Sequence, residues 1–310
     1  MRRVALSTAA VGGITVGYED RGTGAPLVLV HGHPFDRTMW APQTAAFGAA
    51  RPGSGWRVIV PDLRGYGAST VVPGVTPLET FARDIAGLLD VLGLGAERIV
   101  LGGLSMGGQI ALEFARLFPE RLRGLVLADT FAQGESAEGK ARRNALADRL
   151  LREGMGGYTD EVLDKMVAPE NIARQPEVAG HVRRMMLAAP PEGAAAALRG
   201  RAERPDHTGL LGRIAVPTLV VVGRDDTYTP VADAEFLHRR IPGAALAVIE
   251  DAAHLPNLEQ PTAFDAVLAD FLAGLRPSPP RRRASGKVPL MYAQPVMSMN
   301  WWWTAHPAAH

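Results

Sequence analysis

The sequence predicts an α/β fold: a mostly parallel sheet covered by helices on both faces, with a helical segment inserted into it. Three observations predict it. Short β-branched apolar runs alternate with stretches of helical periodicity, the pattern of repeated βα units. The interval 131–211 breaks that alternation with helical patterns and no strand. Finally, "VLGGLSMGGQIALEFA" (100–115) crowds four glycines around one serine where an apolar run gives way to a helix.

The elements follow in order. "MRRVALSTAAVGGITVGYED" opens with two arginines and superficially resembles a secretion signal. Its apolar run is short and broken by Ser7 and Thr8, and Gly12-Gly13 between alternating segments reads as a hairpin. Buried parallel strands are expected at 26–32, 56–62, 98–103, 122–129, 217–223 and 244–250. Helices are expected at 77–93, with Phe81, Ile85, Leu88, Leu89 and Leu92 on one face, and at 261–275, with Phe264, Val267, Leu268, Phe271 and Leu272. Residues 1–130 and 212–276 should therefore form the core, and 131–211 a helical cap. From 277 to 310, "PSPPRRRASGK" and the aperiodic "MYAQPVMSMNWWWTAHPAAH" read as a disorder-like or appended tail.

Composition narrows the function. With 310 residues, 47% hydrophobic and 21% charged, the chain can bury one large core. The absence of cysteine removes disulfide frameworks, thiolate nucleophiles and cysteine-ligated metal sites. A formal net charge of +1 gives no reason to expect a nucleic-acid partner, and no stretch is long and apolar enough to span a membrane. A cytoplasmic protein acting on a small molecule is expected, without metal or cofactor and with homo-oligomerisation left open. "GTG" at 22–24 precedes a strand, where a dinucleotide fingerprint would follow one.

A G-x-S-x-G between a buried strand and a helix lifts its serine onto a strained turn, so Ser105 is the candidate nucleophile. A serine hydroxyl needs a base. Of eight histidines, His254 in "IEDAAHLPNLEQP" follows the last strand, at the carboxyl edge where open α/β sheets place their sites. The orienting acid should lie between serine and histidine in chain order. Asp226 in "VVVGRDDTYTP" is preferred, with Asp225 and Asp129 as alternatives. Backbone N–H groups of Met106 and His33 are the expected oxyanion hole, while the His31 side chain should hold the His33 loop in shape. Phe35, Trp40, Met155 and Met185 could line a substrate pocket, although each taken singly fits a core position better.

With "HGHP" (31–34), "DLRGYGAST" (62–70), "GLSMGG" (103–108), "GRDDTYTP" (223–230) and "AAHLPNLEQP" (252–261) in this order, the chain resembles α/β-hydrolase-fold serine hydrolases from about residue 4 to 276. Within that family it is similar to small-molecule carboxylesterases, 3-oxoadipate enol-lactonases and cofactor-free haloperoxidases or perhydrolases. His33 stands where phenylalanine is common. The resemblance implies two-step acyl transfer: Ser105 attacks an ester or lactone carbonyl, His254 moves the proton, Asp226 fixes its tautomer, and water releases the acyl group. A small, largely apolar substrate is the expectation. Peracid formation with hydrogen peroxide as acceptor, and a non-catalytic ligand-binding role, are the rival readings.

Overall fold

The computed structural model describes residues 6–49 and 55–275; the expected tail at 277–310 lies outside the described residues. Gly12 and Gly13 take φ of +54° and +83°, the left-handed pair that a two-residue hairpin requires. They join β1 (Ser7–Val11) to β2 (Ile14–Gly22) in antiparallel register, from Ser7↔Tyr18 to Val11↔Ile14.

The strands that follow are β3 (Ala25–Val30), β4 (Trp56–Pro61), β5 (Ile99–Leu104), β6 (Leu122–Ala128), β7 (Thr218–Gly223) and β8 (Ala245–Ile249). They complete an eight-stranded sheet in the order β1-β2-β4-β3-β5-β6-β7-β8, parallel from β4 through β8. Each expected strand is present, ending a residue or two from its predicted limits. The trimmed residues include His31, Asp62 and Asp129, whose side chains hydrogen-bond within the loops beyond the sheet edge or across to the neighbouring strand end. Every position of β5 and β7 is buried, which requires cover on both faces of the sheet.

Helices supply it. α1 (Ala41–Phe47) precedes β4, α2 (Leu78–Val91) precedes β5, and α3 (Met106–Leu117) follows β5. Six helices fill the interval between β6 and β7: α4 (Ala137–Glu153), α5 (Gly156–Met166), α6 (Pro169–Arg174), α7 (Pro176–Ala188), α8 (Pro191–Ala202) and α9 (Thr208–Leu211). α10 (Val231–Arg240) lies between β7 and β8, and α11 (Pro256–Glu259) and α12 (Pro261–Gly274) follow β8. α2 packs on α3, which lies against β3, β5 and β6; α1 and α12 pack on one another. α8, whose alanines are buried along its length, packs on α4. Among the described residues, no helix is long and apolar enough to cross a membrane.

The topology brings five chain segments to one edge. Ser105 follows β5, and the His33 loop follows β3. Asp129 follows β6, Asp226 follows β7 and His254 follows β8. The carboxyl ends of parallel strands meet there.

Candidate active site

Ser105 sits between β5 and α3 at φ 56° and ψ −116°, a conformation costing a non-glycine residue about 1–3 kcal/mol. The surroundings hold it there. Its N–H donates to Ala128 O (2.9 Å), and its carbonyl accepts from Gly108 N, Gln109 N and Thr130 Oγ1. The turn is too tight for side chains on either flank: a Cβ at Gly103 would lie 2.1 Å from Gly107 O, and one at Gly107 would lie 2.2 Å from Val30 O.

His254 is buried, and its Nδ1 lies 2.8 Å from Asp226 Oδ2. The other Asp226 oxygen accepts the N–H groups of Tyr228 (2.8 Å) and Thr229 (3.1 Å), and Thr229 Oγ1 also donates to Oδ2. Burial alone would push the Asp226 carboxyl up; the charge and hydrogen bond of His254, with Thr229, outweigh it and hold the carboxyl below its ordinary value. An ionised Asp226 accepts Nδ1–H, leaving Nε2 of His254 as the basic nitrogen. The Tyr228 ring lies 5.4 Å from the imidazole.

The two alternative acids are placed differently. Asp225 is exposed to solvent. Asp129 is buried, and the nearest ligand-type oxygens and nitrogens of Asp129, Asp226 and His254 lie within 4.8 Å of one another. Its Oδ1 accepts Gly223 N–H at 2.9 Å. Burial, together with the Asp226 charge, pushes the Asp129 carboxyl well above its ordinary value. Its Oδ2 is buried with no hydrogen-bond partner among the described residues.

The backbone N–H groups of His33 and Met106 make no hydrogen bond to any described residue, so both are free to meet a developing oxyanion. The His31 side chain shapes the loop: Nδ1–H donates to Gly32 O (2.8 Å), and Nε2 accepts Leu63 N–H (2.9 Å). The side chain of His33 has its own environment, with Nδ1 2.7 Å from the hydroxyl of Tyr66.

Ser105, His254 and His33 line one cavity of about 240 Å³. Phe131, Leu146, Met166 and Leu198 supply its apolar wall, and Arg143, Tyr158 and Arg201 its polar one, all from the segment between β6 and β7. Phe35, Trp40, Met155 and Met185 are not among the lining residues. They are core: the Trp40 ring lies 5.9 Å from that of Phe264 of α12, tilted by 54°, and the other three are at most 5% exposed. Sequence reading passed over Arg143, Tyr158 and Arg201. A signal existed for Arg201, an arginine in the alanine-rich "GAAAALRGRA", whose helix has no consistently polar face.

Residues 25–261 match the family described as the alpha/beta hydrolase fold. The chain belongs to that family. Among curated α/β hydrolase relatives, it is 31% identical to 3-oxoadipate enol-lactonase 2 of Acinetobacter baylyi, over 81% of this chain and 88% of that one. It is 32% identical to a pimeloyl-[acyl-carrier protein] methyl ester esterase of Neisseria meningitidis, over 80% and 93% respectively. Among solved structures, a thermophilic esterase from Thermogutta terrifontis, with malate bound, is 45% identical with a TM-score of 0.82, covering 89% of this chain and 100% of that one. Residues 291–310, outside the described residues, match a second family, the tryptophan leader peptide.

Proposed function

We propose that this esterase-type α/β hydrolase cleaves a carboxylic ester or lactone of a small molecule through an acyl-enzyme on Ser105. The observation that carries the reading is His254, paired with buried Asp226 at 2.8 Å and lining one cavity with a serine held at positive φ. His254 takes the Ser105 proton as Oγ adds to the carbonyl carbon, and the oxyanion meets the N–H groups of Met106 and His33. The collapsing intermediate expels the alkoxide, which receives the proton from His254. Water, deprotonated by the same nitrogen, then adds to the acyl-enzyme and restores Ser105. Asp226 holds the tautomer that accepts at Nε2 and stabilises the imidazolium in both steps.

The helices between β6 and β7 act as a cap, roofing the cavity and supplying its substrate-facing wall. Purified protein is expected to hydrolyse short-chain esters, and Ser105→Ala to lose that turnover while keeping its thermal unfolding transition. Turnover near the wild-type rate in Ser105→Ala overturns the proposal.

A further inference from the structure

The polar wall of the cavity carries two arginines, Arg143 and Arg201, and no carboxylate is among its lining residues. Arg201 is 7% exposed, and its Nε donates to Gln109 Oε1 at 3.1 Å. No carboxylate among the described residues pairs with it. One acid, Glu135, serves both neighbouring arginines, accepting from Arg204 Nη1 at 2.6 Å and from Arg143 Nε. Two of the three guanidinium groups thus share one carboxylate, and buried Arg201 has none among the described residues. A buried, uncompensated cation costs several kcal/mol of solvation, which an anion in contact with it offsets.

His33 adds to this pattern. Burial, reinforced by Arg201 and Arg143, pushes its imidazole well below the ordinary histidine value, so the ring is neutral. The Tyr66 hydroxyl reaches no other acceptor among the described residues and donates to Nδ1, placing the remaining proton on Nε2. That Nε2–H is buried without a partner, on a side chain that lines the cavity. Burial, with Arg143 and Arg204 adding to it, pushes the Arg201 guanidinium down from its ordinary value; a guanidinium keeps its proton in proteins, so the penalty falls on a charged group.

The scaffold holds this wall rigidly. α8 seats on the loop after β4: Thr76 N donates to Ala196 O (3.0 Å), and a Cβ at Gly200 would lie 1.7 Å from Thr76 O. Arg201 follows directly, and the bond from its Nε to Gln109 Oε1 orients the guanidinium.

We infer that the substrate carries an ionised carboxyl group beside the scissile ester or lactone, and that Arg201, with Arg143 and His33 Nε2–H, binds that carboxylate. The inference rests on the serine-hydrolase reading and deepens it. The cavity, about 240 Å³, suits a half-ester of a short dicarboxylic acid or a compact carboxylated lactone.

The test compares monomethyl glutarate with its neutral amide isostere, methyl 5-amino-5-oxopentanoate, in wild type, Arg201→Met, Arg143→Gln and Ser105→Ala. Wild type should prefer the anion by at least tenfold in kcat/KM, with free glutarate as a competitive inhibitor. Arg201→Met should reduce that preference at least tenfold, and Arg143→Gln by a smaller factor. Equal kcat/KM for both esters in wild type, with turnover lost in Ser105→Ala, overturns the anion inference and leaves the serine mechanism standing. Turnover of both esters by Ser105→Ala overturns the mechanism instead. Should Arg201→Met fail to fold, the wild-type preference and the Arg143→Gln ratio decide.

Discussion

Replacing Asp226 by asparagine preserves its shape and inverts its chemistry. The N–H groups of Tyr228 and Thr229 both donate to Oδ1, so they select the amide oxygen for that place. The amide nitrogen then occupies the Oδ2 position, 2.8 Å from His254 Nδ1, where it can only donate. Nδ1 must accept, the imidazole proton moves to Nε2, and the nitrogen that should take the serine proton loses its lone pair. Loss of the correct tautomer lowers turnover by ~10⁴-fold in triads of this kind, about 5.5 kcal/mol at 1.36 kcal/mol per decade.

Asp129→Asn, by contrast, keeps an acceptor for Gly223 N–H and removes a carboxyl whose charge burial already disfavours, and should cost no more than about tenfold in rate. Asp225→Asn, at an exposed position, should be milder still. The assay is kcat/KM on p-nitrophenyl acetate for the three variants, with thermal melts to confirm folding. A loss of ~10³ or more in Asp129→Asn, with Asp226→Asn nearly intact, would transfer the acid's role to Asp129 and refute the tautomer argument.

Two further outcomes are expected. Gly107→Ala forces a Cβ to 2.2 Å from Val30 O in a central strand, so urea unfolding should show a loss at or above ~3 kcal/mol; a change within ~0.5 kcal/mol would contradict the packing account. Burial pushes Glu113 up, but hydrogen bonds from His207 (2.6 Å) and Arg116 (2.7 Å) prevail and hold it at about 2. Because that value lies below the ordinary carboxylate one, the pair's stabilisation is complete above about pH 4.5 and is lost as pH falls toward about 2. Glu113→Gln should melt lower at neutral pH and show a shallower decline on acidification; an unchanged slope would contradict the linkage.

Much of this site was legible because its chemistry is tied to chain order. Each parallel strand ends at the same edge, so the residue after each strand is a neighbour of the others. Ser105, Asp226 and His254 could therefore be read from strand ends, and burial separated Asp226 from exposed Asp225 as the alternation of facing side chains suggested. The cationic wall follows no such rule. Arg143 and Arg201 meet because α4 and α8 pack together, a tertiary contact that periodicity does not encode. The same limit applied to Trp40 and Met185: an apolar side chain near a site motif reads alike whether it faces the ligand or, as here, the core.

The central claim is a covalent intermediate on Ser105. Intact-mass and peptide analysis after treatment with a fluorophosphonate addresses it most directly. The account predicts one phosphonyl group, located on the peptide carrying Ser105, with ester turnover lost in proportion to labelling and no labelling in Ser105→Ala. A fully active enzyme after stoichiometric labelling, or a label that maps to another residue, would contradict it.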